Sequence, residues 1–96
     1  MRKFNLSDVL SLIKGAYKIS GRTDGIYFTN IKPVLEAEKD SLVFVSADRK
    51  DKMDLIRQTH AQIIVCDMAV VPAEDLLESK CLIQVDNPKL VFGRIN

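Results

Sequence analysis

Three runs of almost unbroken apolar character mark the second half of the chain: Leu42-Val43-Phe44-Val45, Ile63-Ile64-Val65-Cys66 and Leu82-Ile83-Gln84-Val85. Runs of this length without polar alternation fit strands buried on both faces, the condition of a parallel sheet covered by helices. Residues 49–59 lie between the first two and place Met53, Leu55 and Ile56 for packing on a helix, with Ser46 or Asp48 as its cap. Strand, helix and strand then form a βαβ unit, whose crossover is almost always right-handed and lays its helix over one face.

The first half reads differently. Leu6, Val9, Leu10 and Ile13 follow i, i+3, i+4, i+7 spacing and predict an amphipathic helix over residues 4–15. Asn5 is its expected cap, Asp8 sits near its positive end, and Gly15 offers a left-handed terminator. Residues 16–20 predict a short strand, residues 21–25 a turn, and residues 26–31 a returning strand, so a hairpin-like pairing is expected. Pro33 ends regular pairing, and residues 34–38 are expected to make one helical turn. Farther on, Asn87-Pro88 is a sound helix start ahead of Leu90, Val91, Phe92 and Ile95. The expected architecture is α/β: a small mixed sheet, part hairpin and part parallel, flanked by about three helices.

Composition bounds what such a domain does. Ninety-six residues with 47% hydrophobic and 28% charged content fit one globular domain over residues 1–96. Fourteen basic against thirteen acidic residues leave a formal charge of +1, far from the excess that a phosphate-backbone partner demands, so nucleic acid is not an expected partner. The run Asp48-Arg49-Lys50-Asp51-Lys52-Met53-Asp54 alternates sign and reads as a solvated helix start. No apolar stretch approaches the roughly 20 residues of a membrane span, and Met1-Arg2-Lys3-Phe4-Asn5 lacks the apolar run of a secretory signal; a soluble, cytoplasmic domain is expected.

Little in the chain reads as catalytic. Gly15, Gly21, Gly25 and Gly93 all lie away from the turn after Val45, where a phosphate loop would sit. Cys66 and Cys81 lack metal-pair spacing, and at opposite ends of parallel strands they would remain unbridged core residues. His60 falls at the end of the predicted helix, where imidazole interacts favourably with the carbonyl end. Glu36, Glu38 and Asp40 read as an exposed turn. Phe44 is more informative: it closes a buried strand, and ligands of open α/β sheets bind at that carboxyl edge, where a ring stacks on a base.

The ordered set of the residue 6–15 helix, Ile31-Lys32-Pro33-Val34-Leu35-Glu36-Ala37, Asp40-Ser41-Leu42-Val43-Phe44-Val45, Ala61-Gln62-Ile63-Ile64-Val65 and Val85-Asp86-Asn87-Pro88-Lys89-Leu90-Val91-Phe92 resembles the amino-terminal domain of UDP-3-O-acylglucosamine N-acyltransferases of lipid A biosynthesis. The resemblance implies a module similar to the amino-terminal domain of Mur ligases that helps bind the uridine of a UDP-sugar. It also implies that a left-handed β-helix follows, carrying the catalytic histidine, forming a homotrimer and taking its acyl group from acyl carrier protein. On that reading the fragment is a monomer without catalytic residues or cofactor, and His60 has no role. The family's uracil site implies Phe44, Ala47 and Lys50 as binding positions, with Ala47 standing where the family has Asn and Lys50 where it has Tyr. The alternative is a non-catalytic module that orients an attached domain.

Overall fold

A computed structural model describes residues 3–95 of the chain. Met1, Arg2 and Asn96, and with them the expected continuation past Asn96, lie outside the described residues. In chain order the elements are α1 (Leu6–Leu10), β1 (Tyr17–Gly21), β2 (Asn30–Ile31), β3 (Ser41–Phe44), α2 (Lys52–Gln58), β4 (Ile63–Asp67), α3 (Glu74–Leu77), β5 (Cys81–Val85) and α4 (Pro88–Ile95). The strands form one sheet in the order β1-β5-β4-β3-β2. β2 to β5 run parallel, and β1 lies antiparallel against β5 at one edge.

The three apolar runs became the centre of this sheet because alternate residues serve two cores. Val43, Ile64, Cys66 and Leu82 face one side, where Leu55, Ile56 and Leu76 bring α2 and α3 onto the sheet. Leu42, Ile63, Val65, Cys81, Ile83 and Val85 face the other, covered by Val9 of α1 and Val91 of α4. Both crossover helices share a face, as two same-handed crossovers advancing in one direction must. The mixed α/β class is therefore as expected, with four helices among the described residues rather than three. The additional one, α3, follows Pro72 and carries Glu74 and Asp75 in its first turn.

The expected hairpin does not form. Tyr17 to Gly21 pair with Val85 to Cys81, while in the expected return segment the sheet takes up only Asn30 and Ile31, at the opposite edge. The cause is burial. Ile26 and Phe28 are each 5% exposed in the α1-side core, and Phe28 makes a two-way backbone bridge to Phe4 with their rings stacked 5.3 Å apart. Residues 22–29 thus cross at the amino ends of the parallel strands, from Lys80 before β5 to Asp40 before β3.

Helix boundaries also differ. Asn5 caps α1 as expected, in a reciprocal pair: its side chain accepts from the Asp8 amide at 3.2 Å, and Asp8 accepts from the Asn5 amide at 2.8 Å. The helix stops at Leu10, however. The chain tightens through Leu12→Val9 and Ile13→Leu10 amide bonds, and Gly15 does not adopt a left-handed conformation. α2 starts at Lys52 with Asp51 before it, and the Asp51 carboxylate faces Arg49 at 3.0 and 3.1 Å instead of capping. Neither Ser46 nor Asp48 caps the helix; they bond each other.

The cysteines are free and buried on opposite faces of the sheet, in parallel strands where Cys81 pairs with Ile63 and Cys66 with Gln84. Burial pushes the Cys66 thiol up to about 12 and Cys81 to about 11. A raised folded value means the unfolded chain loses its thiol protons first. Stability is therefore full below the ordinary thiol range near pH 9 and falls as pH climbs toward 11 and 12, with each thiol contributing up to about 1.4 kcal/mol per pH unit. Lys80 works in the opposite direction, since burial lowers its ammonium, but it is only half-buried and its Nζ donates to the Thr59 and Ala61 carbonyls at 2.6 and 3.0 Å. Urea midpoints at pH 8, 9.5 and 10.5 are expected to decline, and to decline less in a Cys66→Ala variant; equal midpoints would contradict this account.

Candidate functional site

The carboxyl edge of the sheet carries a groove of about 330 Å³ between the end of β3, the chain leaving β2 and the start of α4. Its floor and walls are apolar: Ile31 and Pro33 from one side, Phe44 from β3, Pro88 and Phe92 from α4. Phe44 and Phe92 meet edge to face, with centroids 5.0 Å apart and planes at 78°. That geometry leaves no slot between the rings. A flat ligand would lie on one ring face with the other ring as a wall.

Three polar residues complete the lining: Lys32, Ser46 and Lys89. The Ser46 hydroxyl hydrogen-bonds the Asp48 carboxylate, and Asp48 also lies 3.6 Å from Lys89 Nζ. The Ser46 hydrogen bond, followed by the charge of Lys89, holds the Asp48 carboxyl below its usual range. Lys32 forms no ion pair among the described residues.

Of the positions expected from sequence, Phe44 lines the groove, whereas Ala47 and Lys50 are exposed and stand outside its lining. The Ala47 carbonyl is already engaged, accepting from Lys52 Nζ at 3.2 Å. Lys52 is the one member of the alternating charge run that turns inward. It pairs with Asp67 at the end of β4 at 3.0 and 3.1 Å, with side chains only 21% and 10% exposed. The expectation of a uniformly solvated run fails at that residue. His60 is exposed just beyond Thr59, the C-cap of α2, and Glu36 and Glu38 are exposed as expected, while Asp40 is half-buried and accepts from the Thr29 hydroxyl at 2.6 Å.

Phe92 is the groove aromatic that sequence reasoning passed over. Its signal was helical spacing: Pro88, Lys89 and Phe92 fall at i, i+1 and i+4 and share one face of α4, turned toward Phe44. A larger cavity of about 510 Å³ lies between α1 and β2, but its one titratable residue, Asp8, is committed to the helix cap. Neither known protein families nor curated proteins give a match to this chain. The groove must therefore be read from its own chemistry. Among the described residues there is no cluster of metal ligands, and no helix is long and apolar enough to cross a membrane.

Proposed function

We propose that this domain recognises the uridine of a UDP-linked amino sugar, as the amino-terminal part of an N-acyltransferase of the lipid A type. The observation that supports this reading is Phe44. Its ring lines an apolar groove at the carboxyl end of a parallel strand, the edge where open α/β sheets bind ligands. Phe92 supplies the second aromatic wall that Lys50 does not. The acyl transfer, the acyl carrier protein donor and the trimer belong, on this proposal, to a following domain, and the 96-residue chain binds without catalysing.

The test is a titration of UDP and UDP-GlcNAc into the chain, followed by amide and aromatic shifts. Perturbation at Phe44 and Phe92 is expected at millimolar ligand. Phe44→Ala is expected to weaken binding about tenfold, since stacking on one ring contributes about 1–3 kcal/mol. The half-buried ring should cost less stability than a core phenylalanine, which loses about 3–5 kcal/mol. A core-sized loss with unchanged ligand shifts would make Phe44 a packing residue and refute the reading, favouring a module that merely orients its neighbour.

A further inference from the structure

The charges around the groove are not balanced within it. Two lysines line it and no carboxylate does. Asp48 stands just outside, 3.6 Å from Lys89, and the pair is 70% and 75% exposed, so it is held weakly and exchanges readily with another anion. Lys32, at the opposite wall, has no acidic partner among the described residues. In a chain whose formal charge is only +1, two cations gathered around two aromatic rings select a particular ligand chemistry: a flat ring joined to an anionic group.

We infer that Lys32 and Lys89 form a phosphate clamp for a ring stacked on Phe44, and that Asp48 is a built-in competitor which the phosphate displaces from Lys89. This inference rests on the stacking reading above. A phosphate group carries about 1.5 to 2 negative charges at neutral pH against the single charge of Asp48, and it enters a groove lined by both lysines. Displaced, Asp48 keeps its hydrogen bond from Ser46, so the mouth of the groove loses one partner and not two. Asp48 therefore sets specificity. It withholds Lys89 from weakly charged ligands and yields it to a phosphate.

Three probes separate the parts of this inference: uridine, uridine 5′-monophosphate and inorganic pyrophosphate, each titrated into the 96-residue chain at low salt. The monophosphate is expected to bind about tenfold more tightly than uridine, a margin that shrinks with added salt. Lys32→Ala and Lys89→Ala should each erode the margin, lowering monophosphate affinity more than uridine affinity. Asp48→Asn should widen it by about threefold, the scale of a surface ion pair. All three side chains are exposed, so the variants should fold as the parent does. Equal binding of uridine and its monophosphate, with shifts at Phe44, would overturn the clamp and keep the stacking reading. Pyrophosphate shifts at Lys32 and Lys89 without any response to uridine would overturn the stacking reading and, with it, the clamp as stated, leaving a plain anion site. Silence toward all three probes would overturn both.

Discussion

Gly21→Ala is expected to destabilise the domain by about 3 kcal/mol, more than other single changes of similar size. Gly21 ends β1 at φ +93°, a conformation that L side chains rarely adopt. A methyl group there would lie 2.1 Å from the Lys80 carbonyl oxygen and 3.1 Å from Leu77 Cδ2. The backbone carbonyl is the neighbour that cannot give way easily. The Lys80 carbonyl accepts from the Arg22 amide at 3.0 Å, and Gly21 itself pairs with Cys81, the first residue of β5. Gly25→Ala is the internal control. Gly25 also has positive φ, +68°, but the nearest atom to an added methyl is the mobile Arg22 Nη2 at 3.8 Å, so only the backbone penalty of about 1–2 kcal/mol applies. Urea unfolding of both variants decides the matter; equal losses would show that the Lys80 contact is not the cause.

Asp67→Ala should follow closely, at about 2–3 kcal/mol. Its carboxylate accepts from Lys52 Nζ and from the Ala69 amide at 3.1 Å, tying the start of α2 to the turn after β4. Removing it leaves the Lys52 ammonium with the Ala47 carbonyl as its remaining protein partner. Asp67→Asn should recover part of the loss by preserving the Ala69 bond, whereas a purely steric role would make Asn and Asp equivalent. Thermal melts of the two variants distinguish these outcomes. Because Ala47 and Lys52 flank the loop that carries Asp48, Asp67→Ala should also broaden the amide signals of residues 46–50.

Central strands were legible in the sequence, and edges were not. Leu42 to Val45, Ile63 to Cys66 and Leu82 to Val85 announced themselves because burial on both faces leaves little room for polar residues, a local constraint; Gln84 is the exception, its amide donating to the Asp67 and Val70 carbonyls. The partner of Tyr17–Gly21 was not legible, since any short strand followed by a glycine-rich turn reads as half of a hairpin. What decided otherwise was the burial of Ile26 and Phe28 under the sheet, a tertiary fact. The groove divided in the same manner. Phe44 was evident from its place at the end of a buried run, while Phe92, Lys32 and Lys89 come from distant segments that meet only once α4 folds back over β3. Lys52 shows the same limit in electrostatics: its spacing looks like that of its solvated neighbours, and only the end of β4 gives it Asp67.

The antiparallel edge has a consequence for how the domain assembles. β3, α2, β4, α3 and β5 are consecutive in the chain and can pair as each is synthesised, but Tyr17–Gly21 must wait for β5, which lies more than half the chain length away. Closing so long a loop makes the docking of β1 a late and comparatively slow step. Until it occurs, the free edge of β5 offers unpaired amides and carbonyls to any neighbouring chain. A ribosome releasing this domain thus leaves the β5 edge open until β1 docks, and Gly21, opposite Cys81 and beside the Lys80 carbonyl, lies at the end of that seam.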